Sequence, residues 1–293
     1  MTLLRILKFV WNHPLNTNSR KAAIGRFIKW QINSRLNRFP ILYPITSNAK
    51  IFAWKGLAGA TGNLYCGLME YEDMGFLLHY LKSSDLFIDI GANVGAYTVL
   101  ASGEINAKSI SIEPIPSTYR NLIDNIAINH LDDKVTALNI GLGKEEASMK
   151  FTKSLDTVNH VAVEGEKDII EVQVNTLDGI CPSMPNFLKI DVEGFETEVL
   201  LGAAKVLASE ELNAIIIELN GSGKRYGFDE DKIHESLVQY GFNPHRYDPL
   251  SKRLTVLNTY NKSHNTIYIK NSDEARKRIS DSDLIQLGNG SSI

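Results

Sequence analysis

The 293-residue sequence holds only two cysteines, Cys66 and Cys181, and they form neither a metal-ligand nor a redox spacing. Buried or idle thiols are expected, and nothing argues for an oxidising compartment. No run approaches the roughly 18 apolar residues of a membrane-spanning helix, and no internal repeat is present. Arg5 and Lys8 interrupt the apolar start, and no small-residue cleavage site follows, which argues against a signal peptide. The most one-sided absence is of negative charge. Met1 to Met69 contains no Asp or Glu but ten Lys or Arg, from Arg5 to Lys55. Glu70 is the first carboxylate, so the remainder carries 21 of the 31 basic residues against all 34 acidic ones.

A segment of one sign is expected to meet something negative. At about 100° per residue, Leu3, Leu4, Leu7, Val10 and Trp11 share a helix face opposite Arg5, Lys8 and Asn12. Two readings follow for residues 1–50, a basic helical extension. Either this face packs on the domain that follows, or it makes peripheral contact with an anionic membrane.

The rest has an ordinary balance, 43% hydrophobic and 22% charged, with ample material for a large core. Residues 51–84 read as a strand-and-turn stretch followed by a helix over Glu72–Leu81. Apolar strands are expected at Leu86–Ile90, Ser109–Glu113, Val135–Ile140, Phe187–Asp191 and Ala214–Leu219, with helices between them. That alternation predicts an α/β fold, a mostly parallel sheet covered by helices on both faces. Met149–Lys153 and Ile169–Val174 read as an inserted hairpin, Asp229–Tyr240 as a helix, and Leu254–Leu257 with Thr266–Lys270 as a closing antiparallel hairpin. The expected division is 1–50, a domain over 51–271, and a loose polar tail over 272–293.

The sharpest local signal is Asp89-Ile90-Gly91-Ala92-Asn93-Val94-Gly95, where a strand turns into a helix. Glycines there let the backbone approach a ligand, and the helix start offers unpaired N–H groups. Glu113 ends the next strand, about 20 residues on, where a carboxylate can accept ribose hydroxyls. A dinucleotide pyrophosphate wants a third glycine and no acid nearby, yet Asn93 and Asp89 stand here. S-adenosylmethionine has no phosphate and two cationic centres, which suits Asp89. An NAD(P)-dependent oxidoreductase is therefore disfavoured.

A second signature lies about a hundred residues on. It comprises Asn175-Thr176-Leu177-Asp178, then Phe187-Leu188-Lys189-Ile190-Asp191-Val192-Glu193-Gly194-Phe195-Glu196, then Val199-Leu200-Leu201-Gly202-Ala203. With the Asp89–Thr98 block, Glu113-Pro114 and the lead-in Tyr65–Glu70, the chain over roughly residues 60–270 closely resembles the FkbM family of methyltransferases. The resemblance implies the class I methyltransferase (Rossmann-like) sheet and S-adenosylmethionine as cofactor. It also implies O-methylation of a sugar, natural product or polysaccharide precursor. On these readings the cofactor residues are Glu70, Asp89, Gly91, Asn93, Gly95, Tyr97, Thr98 and Glu113. Residues 1–50 fall outside the resemblance.

Ligands of open α/β sheets bind beyond the carboxyl ends of the strands, where Asp191 and Glu193 are expected. Methyl transfer needs an aligned acceptor, and a hydroxyl acceptor must lose a proton, so Asp191 and Glu193 are the candidate catalytic residues. The bland alternative has Asp191 capping the next helix and Glu193 binding backbone N–H groups. Asp191, Glu218 and Asn220 form an oxygen-rich trio that admits Mg²⁺, although a metal-free site is favoured. His160, in the inserted loop, is read as a solvated loop residue before an acceptor contact. No Asn/Asp-Pro-Pro-aromatic string for an extruded base is present, so nucleic acid is not an expected partner. The expected enzyme is cytoplasmic, or peripheral on the inner membrane face, with a saccharide or other small-molecule acceptor.

Overall fold

The computed structural model describes residues 3–37, 39–54 and 56–293. Among the described residues thirteen strands follow in chain order. They are β1 (Ile41–Pro44), β2 (Lys50–Ala53), β3 (Leu86–Ile90), β4 (Lys108–Ile112), β5 (Val135–Leu138), β6 (Gly141–Leu142), β7 (Ala147–Thr152), β8 (Ile169–Asn175), β9 (Phe187–Ile190), β10 (Ala214–Glu218), β11 (Asn243–Asp248), β12 (Arg253–Val256) and β13 (Asn265–Ile269). Eight of them form one sheet in the order β12-β11-β13-β10-β9-β3-β4-β5. The five from β10 to β5 run parallel, whereas β13, β11 and β12 close the edge with antiparallel pairs.

Strand periodicity splits the side chains between two cores. Phe87, Phe187, Ile216 and Ile267 face the helices Tyr71–Tyr80, Ala96–Val99 and Pro116–Ile128. Ile88, Leu188, Ile215 and Tyr268 face the helices Glu196–Leu201, Ala204–Ala208 and Glu230–Gln239. Strands buried on both sides are the reason the sequence shows continuous apolar runs there. The same alternation puts Asp89, Lys189 and Glu218 on the first face, each two residues after Phe87, Phe187 or Ile216. These polar residues sit toward the carboxyl ends of three adjacent strands.

Other elements agree with the sequence or refine it. β7 and β8 form the inserted hairpin, with β6 pairing parallel to β8. The helix Glu230–Gln239 is capped by the Asp229 carboxylate, which accepts the Asp231 N–H, and Gly241 follows it with φ 90°. Between Ala53 and Tyr71 the chain forms the helix Ala58–Cys66, which its glycines had masked.

Two expectations are corrected. β12 does not pair with β13; both pair with β11, a strand missed because Pro244, His245 and Arg246 break its apolar pattern. The tail is not loose. Ser272–Ser280 is a helix with Ala275 and Ile279 buried, and Arg278 makes a 2.6 Å ion pair with buried Asp85. Beyond it Ile285, Leu287 and Ile293 are buried, and Leu287 bridges Thr46. Widely spaced apolar residues anchored the segment despite its polar average.

The basic extension forms the helices Leu3–Asn12 and Arg20–Leu36. Val10, Leu15, Ala23, Phe27 and Trp30 join the same core as the first sheet face. Arg26 and Asn16 donate hydrogen bonds to the Tyr65 carbonyl. Only part of the first helix docks: Leu7 and Val10 do, whereas Leu3, Leu4 and Trp11 are exposed. Among the described residues no helix is long and apolar enough to cross a membrane.

Candidate active site

At the carboxyl end of the parallel strands lies a cleft of about 260 Å³. Its floor is the turn after β3. Gly91 sits at φ 78°, where an L side chain is strained, and a Cβ there would overlap the Asp191 carbonyl oxygen. The two signature loops therefore touch through glycine. The Gly91 and Ala92 N–H groups donate to the Ile112 carbonyl at 3.0 and 2.9 Å, tying the turn to β4. Gly95, at φ 84°, starts the next helix, and a Cβ there would meet Leu122 at 2.5 Å.

Asp89 is 1% exposed. Its Oδ2 accepts the Thr98 hydroxyl at 2.8 Å, while Oδ1 has no hydrogen-bond partner among the described residues. Burial raises the carboxyl to about 6, and Lys189 opposes the rise. Glu113 is also buried and pushed up to about 7. Its oxygens accept the Asn93 and Ile115 N–H groups at 3.0 and 2.9 Å, each leaving capacity for a ligand hydroxyl.

Lys189 is the buried cation of the cleft. It donates to Asp191 Oδ2 at 2.7 Å and lies 4.9 Å from the Tyr97 ring centroid. Burial alone would lower its pKa, but Asp191, Glu70 and Asp89 outweigh that and hold the ammonium above the ordinary lysine range. Tyr97 donates to Glu70 Oε2 at 2.8 Å. Asn265 donates to Glu70 and to Asp73, whose carboxyl burial lifts to about 8.

The Asp191, Glu193 and Glu218 carboxylate oxygens lie within 4.8 Å of one another. Glu193 occupies left-handed backbone at φ 56°, and burial and then the Asp191 charge raise it to about 7. Burial, with Asp191 and Glu193, lifts Glu218 to about 8. The backbone work that the alternative reading gave Asp191 and Glu193 falls to Glu196, whose Oε1 accepts the Val192 and Gly194 N–H groups. Both signature acids thus remain in the cleft wall.

The sequence identity of this architecture is carried by the match of the methyltransferase FkbM domain to residues 89–244, more than half of the chain. The chain belongs to the FkbM family of methyltransferases. A relative, the hexuronic acid methyltransferase AglP of Haloferax volcanii, is 30% identical over 156 residues, covering 52% of this chain and 62% of that protein. Methyltransferase 1 of Beauveria bassiana is 28% identical over 142 residues, covering 39% of this chain and 57% of that protein. The chain thus spans less than two thirds of either relative. Among solved structures, the methyltransferase FkbM from Methylobacillus flagellatus KT is similar at a TM-score of 0.47 and 17% identity, over 72% of this chain and 52% of that chain.

In this FkbM-family chain, Glu70, Asp89, Gly91, Asn93, Tyr97, Glu113, Asp191 and Glu193 all line one cleft. Gly95 and Thr98 are not in its wall; Thr98 stands behind Asp89 and links it to Ser111. Asn220 also falls outside. It is exposed and its side chain accepts the Ser222 N–H, so Glu193 takes the third place beside Asp191 and Glu218. His160 is corrected from a solvated residue to a buried one, held by the Val158 carbonyl and Glu166. The same loop instead contributes Asp156, Thr157 and Asn159 to the cleft. Lys189 was missed as a site residue, and so was the role of Asp73, which stands behind the cleft wall and shares the Asn265 amide with Glu70. A lysine inside the otherwise apolar Phe187–Ile190 strand was the available signal for the first.

Proposed function

We propose that this chain is an S-adenosylmethionine-dependent O-methyltransferase that methylates a sugar hydroxyl of a glycan, glycolipid or natural product. The observation that carries this reading is the meeting of the Asp191–Glu193–Glu218 carboxylates with the unpartnered Asp89 oxygen in one cleft.

The residues fit the cofactor. A buried carboxylate with an unused oxygen favours a cationic ligand, and Asp89 has one. Glu113 has acceptor capacity for ribose hydroxyls, and Asn93 and Gly91 shape the turn beside it. When bound, S-adenosylmethionine supplies the sulfonium methyl group. Asp191 and Glu193 orient the acceptor hydroxyl along the line of attack. As the acceptor O–CH₃ bond forms and the S–CH₃ bond breaks, Glu193 takes the hydroxyl proton; its raised pKa near neutrality suits that exchange. Lys189 neutralises part of the surrounding negative charge and holds Asp191 in place. The acidic cleft wall, with Glu70, Asp191, Glu193 and Glu218, favours a neutral hydroxyl over a carboxylate as the methylated atom. The name of the AglP relative, a hexuronic acid methyltransferase, supports a saccharide acceptor. The favoured chemistry is metal-free and cytoplasmic.

The test is transfer of labelled methyl from S-adenosylmethionine onto a glycan and glycolipid extract, before and after EDTA dialysis. Label in a saccharide, unaffected by EDTA, is expected. Label confined to non-sugar products would replace the acceptor class, and loss of activity on chelation would replace the metal-free mechanism.

A further inference from the structure

The helix Arg20–Leu36 uses only one side for docking, through Ala23, Phe27 and Trp30. Its other side carries large aliphatic groups in the open: Ile28 is 50% exposed, Ile32 53% and Leu36 80%. At about 100° per residue these three fall within about 120° of arc, and so do exposed Lys21, Lys29 and Arg35. The face alternates cations with aliphatics and contains no acid. The surface continues at both ends. Arg20 lies 5.4 Å from the ring of exposed Trp11, which belongs to the first helix, and Phe39 and Leu42 are exposed beyond Leu36.

The cations are uncompensated. No residue of 1–69 is acidic. Among the described residues, none of the ion pairs involves a Lys or Arg of this segment. Charge decides the occupant. A second copy would set this all-basic face against itself, and like charges across an isologous contact oppose assembly. A nucleic acid would satisfy the lysines but leave Ile28, Ile32 and Leu36 without apolar partners. An anionic bilayer surface answers both halves, with phosphates for the cations and the headgroup–acyl boundary for the aliphatics.

We propose that the exposed face of Arg20–Leu36, together with Trp11, is a docking surface for an anionic lipid membrane. The catalytic cleft would then work at a bilayer surface, where lipid-linked acceptors reside. The surface stands independently of the reaction assigned to the cleft.

The full-length protein is to be co-sedimented with phosphatidylcholine vesicles and with vesicles also containing phosphatidylglycerol. Partitioning is expected only onto the anionic vesicles and should fall as salt rises. Neutralising three cations (K21Q/K29Q/R35Q) should weaken it on the order of a hundredfold, since each contributes about 1 kcal/mol. Replacing the aliphatics (I28S/I32S/L36S) should weaken it about tenfold or more. These side chains are exposed, so thermal melts should match the wild type. Failure to bind anionic vesicles at low salt overturns the proposal. So does a serine variant that pellets like the wild type, or one that turns a dimer into a monomer in analytical ultracentrifugation. Binding of a single-stranded RNA that is tighter than vesicle binding and insensitive to the serine changes would reassign the face to nucleic acid.

Discussion

Lys189 stands directly opposite Asp89 across the parallel β3–β9 pair, at the same register position. Parallel neighbours project to the same face, so the ammonium is the countercharge for the carboxylate at the foot of the cleft. It also holds Asp191 at 2.7 Å, tying the first signature to the second. Lys189→Met should therefore cost about 3–5 kcal/mol in urea unfolding, because buried carboxylates lose their cation. A double variant with Asp89→Asn should recover part of that loss. Additive destabilisation would mean that the two residues are not coupled.

Asp89→Ala and Glu113→Ala should each weaken S-adenosylmethionine and S-adenosylhomocysteine by about tenfold or more, as expected when a hydrogen bond to a charged group is removed. Isothermal calorimetry reads this directly. Absence of heat with the wild-type protein, or binding of NADH instead, would remove the cofactor assignment.

Asp191→Asn and Glu193→Gln separate chemistry from binding. Turnover should fall by roughly 10²–10⁴ while cofactor affinity stays near the wild-type value. Glu196→Gln is the contrast, since Glu196 supports the turn through backbone N–H groups. It should lower thermal stability first.

The carboxyl cluster makes opposite demands on stability and activity. Glu193 is raised from 4.5 to about 7 and Glu218 from 4.5 to about 8. Between about pH 4.5 and 8 the folded chain keeps protons that the unfolded chain has lost. This cluster therefore makes stability fall as pH rises through that window. Turnover should climb over pH 6–8 as the proton acceptor ionises. Glu218→Gln should raise stability at pH 8 by on the order of 1 kcal/mol, discounted for partial solvation, and flatten the pH dependence of the melt. A melt whose pH slope is unchanged in Glu218→Gln contradicts this.

Several features of this chain were readable without a structure because they are local. The parallel strands announced themselves as apolar runs, since burial on both faces removes alternation. The Gly91 turn with Asp89 and Glu113 was legible because a strand–turn–helix ligand site is built from neighbours in sequence. The Asp191–Glu196 string and the family resemblance were equally local. So was the net charge of residues 1–69, though not which of its apolar groups would be covered.

Tertiary structure decided what depends on partners far apart in the chain. Asn220 was the expected third oxygen beside Asp191 and Glu218, but the turn after β10 turned it onto its own backbone and Glu193 stands there instead. Glu70 and Glu218 were named from the sequence, but their meeting with Lys189 in one cleft came from the sheet order, which brings the end of β10 and the helix start at Tyr71 beside β9. β11 intervened between β12 and β13, which no nearest-neighbour pattern could anticipate. The tail packed because five apolar side chains found cavities on distant elements. Local backbone preference and periodicity are written along the chain. Pairing order, desolvation and the proximity of charges are properties of segments brought together only on folding.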